Sequence, residues 1–101
     1  MWRLSRLAAI VAMTMGAAPT SAIAQWSSFE PGVNRPGADY SSFNIDGGAR
    51  ACRNTCLVDE RCRAWTFVRA GYQGPGPRCW LKAARPEPRE NDCCVSGAVR
   101  R

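Results

Sequence analysis

Histidine is absent from this sequence of 101 residues. Without an imidazole, the chain cannot assemble a Ser-His-Asp triad, a Cys-His nucleophile pair or a Cys₂His₂ zinc finger. Its length also excludes a doubly wound nucleotide-binding fold and a barrel enzyme, both of which need a longer chain. We therefore expect a protein that is not an enzyme and that uses neither a metal nor a cofactor.

A long apolar run is also missing. The main apolar segment, residues 7–18, has 12 residues, whereas a membrane-spanning helix needs about 20. It follows a short cationic segment, residues 1–6, and precedes the small-residue triplet at 22–24, which is the order of a secretory signal peptide. We predict that residues 1–24 are a signal peptide cleaved before Gln25, with an uncleaved anchor as the alternative. After cleavage we expect a periplasmic or secreted protein without stable membrane insertion.

Acidic residues are fewer than basic ones. Lys and Arg number 14 and Asp and Glu number 8, which gives a formal net charge of +6. Removal of the predicted signal peptide takes two arginines away, so the mature balance is 12 − 8 = +4. The positive charges are scattered without a run of five, and an exported protein rarely meets nucleic acid. We therefore expect no nucleic-acid partner.

Cysteine, in contrast, is abundant. All six Cys follow residue 24 and have the spacing C-x₃-C-x₅-C-x₁₆-C-x₁₃-C-C. This density in 101 − 24 = 77 residues is typical of a small secreted domain that needs disulfides to support a limited core. Six Cys allow fifteen pairings, and spacing alone does not choose among them. A zinc site is the alternative, but the isolated Cys62 and Cys79 do not form the paired spacing that such sites use.

The residue pattern predicts one short helix and several strands. The helix is expected over residues 49–58, capped by Asp46 or Gly48. Its buried stripe contains small and apolar side chains: Ala49, Cys52, Cys56 and Leu57 or Val58. Aromatic and β-branched runs predict strands at 39–45, 62–68, 79–82 and 93–99. Irregular structure is expected at 25–36, as an extended N-terminal segment, and in loops 70–78 and 83–92.

Five stretches carry a family resemblance. They are Gly37-Ala38-Asp39-Tyr40 with Phe43, the helix Cys52-x₃-Cys56, Cys62-Arg63-Ala64-Trp65-Thr66-Phe67, Cys79-Trp80-Leu81-Lys82, and Val95-Ser96-Gly97. Together they resemble the PAN/Apple family in its short bacterial form, over residues 29–100. The resemblance implies an α+β fold, with a single short helix packed on a curved antiparallel β-sheet and stapled by disulfides. It places the PAN/Apple-like domain at residues 37–101.

The resemblance also implies disulfide pairings and a function. The pairings are Cys52–Cys79 and Cys56–Cys62, and the partners of Cys93 and Cys94 stay open between a vicinal bridge, a redox pair and an intermolecular link. The implied function is a binding module for protein–protein or protein–carbohydrate interaction. The alternative is a disulfide-rich structural or inhibitory envelope peptide without a dedicated ligand pocket.

The candidate ligand face follows from strand alternation. If Cys79 is bridged to the helix, Cys79 and Leu81 face inward, and Trp80 and Lys82 face outward. An outward Trp beside cations suits a protein or glycan ligand of the cell envelope, an anionic sugar above all. The candidate binding residues are Trp80, Lys82, Arg78, Arg85 and Tyr72. Alternatively, Trp80 packs beneath loop 83–92, while Trp65 and Phe67 are expected in the core.

Overall fold

The computed structural model describes residues 26–101. The predicted signal peptide and its cleavage site before Gln25 lie outside the described residues. The described part contains, in chain order, β1 (Trp26–Ser27), β2 (Glu30–Asn34), β3 (Asp39–Asn44), α1 (Gly48–Leu57), β4 (Ala64–Val68), β5 (Arg78–Lys82) and β6 (Arg89–Arg100).

All strand pairs of the sheet are antiparallel. The strand order is β1-β6-β4-β5-β3, and β2 lies beside β1 along the same edge of β6. The sheet curls into a half-barrel, and α1 packs against β4, β5 and β6. This arrangement confirms the predicted α+β fold of one short helix on a curved antiparallel sheet.

The core is built around β4, because β5 and β6 pair with its two edges. Trp65 is fully buried, and its indole Nε1 donates a 2.8 Å hydrogen bond to the hydroxyl of Ser27. The ring centroid of Phe29 lies 5.7 Å from that of Trp65. Phe67 is partly buried against the same cluster. Trp65 and Phe67 therefore belong to the core, as the sequence predicts.

Two disulfides fasten α1. Cys52 is joined to Cys79 of β5, with 5.4 Å between Cα atoms, and Cys56 is joined to Cys62, with 5.3 Å. These are the pairings that the family resemblance implies. All four residues are fully buried. A helix of ten residues is too short to be stable alone in water, so its position depends on these bridges and on packing.

The start of α1 differs from the prediction. The N-cap is Gly47, with a φ of 96° and no capping side chain, and neither Asp46 nor Gly48 occupies that position. A left-handed φ is the conformation that favours glycine over other residues. A Cβ on Gly47 would also lie 2.9 Å from the Cβ of Ala51. The chain can therefore turn into α1 at this position because Gly47 has no side chain.

The end of α1 is held by a distant arginine. The guanidinium of Arg101 donates hydrogen bonds to the carbonyl oxygens of Cys56, at 3.0 Å, and Leu57, at 3.3 Å. A cation at this position supplies donors to carbonyls at the end of the helix and interacts favourably with the negative end of the helix dipole. The sequence predicts that either Leu57 or Val58 belongs to the buried stripe of α1. In the structure Leu57 packs on the core, while Val58 is 80% exposed.

Two segments expected to be irregular form strands. Residues 26–34 supply β1 and β2, which cover one edge of β6, and β6 already begins at Arg89 inside the expected loop 83–92. Asn34 lies opposite Arg89 in this pairing. Long-range pairing therefore overrides the local signal of Pro and Gly. The domain boundary at residue 37 stays a prediction.

The first prediction concerns the staple between helix and sheet. The double variant Cys52→Ala/Cys79→Ala should lose roughly 3–4 kcal/mol of unfolding free energy in the chain-entropy model, because the bridge closes a loop of 27 residues. Cys56→Ala/Cys62→Ala should lose less, roughly 2 kcal/mol, because its loop spans 6 residues. Urea denaturation without reductant measures both. A smaller loss for the long loop than for the short one would contradict the prediction.

The second prediction concerns the close approach of β6 to the core. A Cβ on Gly97 would collide with the Ser28 carbonyl oxygen and the ring of Trp65. Gly97→Ala should therefore destabilise the fold by about 1–3 kcal/mol or more. Gly76→Ala is the matched control, since its Cβ would meet only Asn44 at 3.7 Å or beyond. Equal thermal midpoints for the two variants would refute the steric argument.

Candidate functional site

The two faces of β5 carry different side chains, as strand alternation requires. Cys79 and Leu81 lie in the core cluster with the helix cysteines. Trp80 and Lys82 point to the opposite face, where a cavity of about 390 Å³ opens. We call this cavity the cup. It lies on the face of the sheet that α1 does not cover.

The cup is lined by two kinds of residue. Its polar side chains come from the β2–β3 region, the centre of the sheet, the β4–β5 loop and β6: Asn34, Asp39, Thr66, Gln73, Lys82 and Asn91. Its apolar and aromatic lining consists of Pro36, Val68, Tyr72, Trp80 and the adjacent pair Cys93 and Cys94. Aromatic surface with a few convergent polar groups is the usual composition of a small-molecule site.

The polar floor of the cup is already hydrogen-bonded. The hydroxyls of Thr66 and Ser96, opposite each other on β4 and β6, are 2.7 Å apart. The ammonium of Lys82 donates to the carboxylate of Asp39 and, at 3.3 Å, to the carbonyl of Gly37. Lys82 is only 2% exposed. It therefore faces away from the helix, as predicted, but it is a buried cation paired with Asp39 and not a free charge beside Trp80.

Strand register explains why Lys82 is buried. Asp39 of β3 lies directly opposite Lys82 of β5, and the segment leading into β3 places the Gly37 carbonyl within reach of its ammonium. A buried ammonium needs a carboxylate and further acceptors to offset its desolvation. The sequence alone does not reveal this partner, because the β3–β5 pairing joins residues 43 positions apart.

Trp80 forms one wall of the cup. Its ring packs against Val68 and the pair Cys93 and Cys94, and it is partly exposed. Its indole Nε1 donates a 2.8 Å hydrogen bond to the side-chain oxygen of Gln73. The ring is therefore fixed by the β4–β5 loop and by β6. The alternative packing, beneath loop 83–92 alone, is not what the structure shows.

The other two predicted cations differ in their distance from Trp80. Arg78 lies at its rim, with its guanidinium carbon 5.7 Å from the Trp80 ring centroid and donor bonds to Asn44 and Ser42. Arg85 donates to the carbonyl oxygen of Val99 at 2.8 Å and lines a separate groove. Of the three cations that the sequence predicts around Trp80, Arg78 lies beside the ring and Lys82 lines the same cavity. Arg85 does not join them, because the turn after β5 carries it to another groove.

Tyr72 lies on the β4–β5 loop and is 57% exposed at the edge of the cup. The loop is closed by backbone hydrogen bonds from the amide of Gly71 to the carbonyl of Gly74, at 2.7 Å, and from the amide of Tyr72 to the carbonyl of Arg69, at 3.4 Å. Structure places Tyr72, Trp80 and Lys82 at one cavity and leaves Arg85 out of it.

Cys93 and Cys94, whose partners the sequence left open, are bonded to each other. Both are buried and both contribute to the cup. The Cys93 amide bonds the side chain of Asn91 at 3.0 Å, and the Cys93 carbonyl accepts from the amide of Arg69 at 2.9 Å. The pair thus forms part of the cup wall.

A salt bridge supports the segment that enters the cup from β2. The carboxylate of Glu30 accepts from Arg35 at 2.9 Å, and Arg35 also donates to the carbonyl of Pro86 at 2.8 Å. The hydrogen bond from Arg35 lowers the pKa of Glu30 below its usual range. This carboxylate therefore stays ionised at neutral pH and holds the segment before Gly37 in place.

Comparison with known proteins supplies the family. The model of the PAN domain family matches residues 33–82, the part of the chain from the end of β2 through β5. The chain belongs to the PAN domain family. PAN domains are binding modules for proteins or carbohydrates. The matched segment contains Asp39, Trp80 and Lys82 but not the cup residues of β6.

One curated protein also matches part of the chain. An uncharacterized protein of Acanthamoeba polyphaga mimivirus is 31% identical over 64 residues, which are 62% of this chain and 17% of that protein. The chain therefore spans less than a fifth of the viral protein's length. No solved structure matches the chain.

Membrane-spanning helices and metal-binding clusters are both missing from the described part of this PAN domain. Residues 26–101 contain no helix long and apolar enough to cross a membrane. In the same range, no group of three or more His, Cys, Asp or Glu side chains is arranged to hold a metal ion. Its three disulfides fit an extracellular or secreted protein.

The third prediction tests the ion pair in the floor of the cup. Asp39→Asn leaves the buried ammonium of Lys82 without a counter-charge and should cost roughly 3 kcal/mol of unfolding free energy. Lys82→Met should cost less, because the carboxylate that it leaves behind is about one-third exposed (34%). Urea denaturation at neutral pH gives both values. A larger cost for Lys82→Met would show that the ammonium is not the buried member of the pair.

Proposed function

We propose that this PAN domain is an exported module that binds a carbohydrate of the cell envelope in the cup. The observation that supports it most is the partly exposed ring of Trp80, which stands over a floor of hydroxyl, amide and paired charged groups. A sugar ring presents C–H groups on its faces and hydroxyls around its edge. The cup offers a partner for each of these surfaces.

The size of the cup is consistent with this ligand. A volume of about 390 Å³ falls in the range of small-molecule sites, roughly 300–1,000 Å³. Tyr72 and Gln73 reach the cup from the β4–β5 loop, while Asn34 and Asn91 reach it from β2 and β6. Side-chain amides both donate and accept hydrogen bonds, so they suit hydroxyl groups, which do the same.

The floor of the cup suits a neutral sugar, because its ammonium is paired. The sequence predicts an anionic sugar, because it places Arg78, Lys82 and Arg85 near Trp80. In the structure Lys82 is paired with Asp39 and Arg85 lies in another groove. A compensated ion pair attracts an anion much less than a free cation does. The floor of the cup therefore holds no free cation, and the charge that stays uncompensated is that of Arg78 at the rim, beside the Trp80 ring.

Export is part of the proposal. The order of segments in residues 1–24 is that of a signal peptide, and the disulfides require an oxidising compartment. The protein would then meet its ligand in the periplasm or outside the cell. A protein ligand, or a purely structural role without a ligand, are the competing functions.

The fourth prediction separates these functions with one residue. Trp80→Ala should weaken binding to the neutral oligosaccharides recognised on a glycan array by more than tenfold, because it removes the stacking surface of the cup. Isothermal titration calorimetry with the recognised oligosaccharide measures the change. Arg53→Ala, on α1 and outside the lining of the cup, is the control and should bind as the wild type does.

Folding of the variants is checked by their thermal midpoints. Trp65→Ala should unfold the domain at a far lower temperature than Trp80→Ala, since Trp65 is fully buried and Trp80 is not. Unchanged affinity of a folded Trp80→Ala variant would place the ligand outside the cup. Recognition of envelope proteins with no oligosaccharide bound on the array would favour the protein-binding function.

A further inference from the structure

A second surface of the domain carries concentrated positive charge. A groove of about 480 Å³ is lined by Arg85, Ala98, Arg100 and Arg101, and we call it the arginine groove. It shares no lining residue with the cup. It is formed by the end of β6 and by the segment between β5 and β6. Its three guanidinium groups are therefore unrelated to the binding of a ligand at Trp80.

The guanidinium groups are held in place by uncharged partners. The Nε atom of Arg85 donates to the Val99 carbonyl oxygen at 2.8 Å. The guanidinium of Arg101 is fixed on carbonyl oxygens at the end of α1. The guanidinium carbon of Arg100 lies 5.8 Å from the ring centroid of Trp26. These contacts orient the side chains and leave their charge uncompensated.

No carboxylate side chain neutralises this groove. The ion pairs among residues 26–101 join Glu30 to Arg35, Asp59 to Arg61 and Asp39 to Lys82, and none involves an arginine of the groove. No Asp or Glu lines it either. Guanidiniums that line one groove without carboxylate partners form a local positive potential. Such a potential attracts oxyanions, which Arg binds in a bidentate manner.

An aromatic ring lies beside these charges. Trp26 of β1 is directly opposite Arg100 of β6, so the two side chains share one face of the sheet. Trp26 is 56% exposed. A Trp that is open to solvent next to fixed arginines is the composition found at the energetic centres of binding surfaces. Its flat ring offers a stacking surface that a simple anion would not use.

We propose that the arginine groove is a second binding site, specific for an acidic polysaccharide. Its carboxylate or phosphate groups pair with Arg85 and Arg100, and a sugar ring of the same chain stacks on Trp26. Charge complementarity supplies the affinity, and the exposed ring distinguishes a sugar polymer from a bare ion. The arginine groove contains no residue of the cup. Its proposed role rests on the proposed function only in requiring that the protein is exported.

The experiment uses polygalacturonate as the acidic probe, neutral dextran as its uncharged counterpart, and vesicles that contain an anionic phospholipid. Binding of the full mature chain is measured by calorimetry and by vesicle co-sedimentation. The double variant Arg85→Ala/Arg100→Ala should weaken binding of polygalacturonate by about tenfold or more. Wild-type affinity for this probe should also fall as salt rises from about 0.05 M to about 0.5 M.

A matched double variant controls for net charge. Arg53→Ala/Arg69→Ala removes the same two charges at positions that do not line the groove, and it should change the affinity by less than about threefold. Trp26→Ala keeps every arginine and should weaken polygalacturonate binding while leaving the thermal midpoint nearly unchanged, which covers the case in which the arginine variant folds poorly.

Several outcomes overturn the inference. They are no binding of polygalacturonate by the wild type, equal losses in the two double variants, unchanged affinity in Trp26→Ala, or tighter binding to the anionic vesicles than to the polymer. A loss of polygalacturonate binding in Trp80→Ala equal to that in Arg85→Ala/Arg100→Ala would place the acidic probe in the cup. A wild-type protein that binds polygalacturonate but no neutral sugar would contradict the proposed function of the cup and still support the arginine groove.

Discussion

The bridge between Cys52 and Cys79 is the constraint on which the rest of the domain depends. It fixes a ten-residue helix, too short to persist alone, to one face of β5. Once Cys79 points toward the helix, the alternation of the strand turns Trp80 and Lys82 to the other face. A single covalent link thus separates a buried, helix-covered face of the sheet from a face that is free to carry a cavity.

Much of this architecture can be predicted from local sequence. The spacing of Cys52 and Cys56 predicts a helix with both thiols on one side, and the run from Cys62 to Phe67 predicts a strand with a buried Trp65. Local patterns fail where distant segments meet. The segment before residue 35 looks irregular, because its Pro and Gly obscure the strands that form only in contact with β6.

The candidate site was only partly predictable for the same reason. Trp80 is found by alternation alone, since that rule needs no partner strand. The state of Lys82 depends on Asp39, which reaches it through the pairing of β3 with β5, and no local pattern reports that pairing. Arg85 is three residues beyond Lys82, but the turn after β5 carries it to another surface. Positive charges that are neighbours in sequence thus divide between a compensated cavity and an uncompensated groove.

The pairing of β1 and β2 along β6 has a consequence for how the domain can be divided. These strands cover the backbone donors and acceptors on one side of the longest strand, and Ser27 supplies the acceptor for the buried indole of Trp65. A fragment that began after residue 35 would leave that edge open and the indole N–H unsatisfied. Bare strand edges pair readily with other chains, so such a fragment would tend to self-associate. The stretch before residue 35 therefore protects the domain from aggregation as well as completing its sheet.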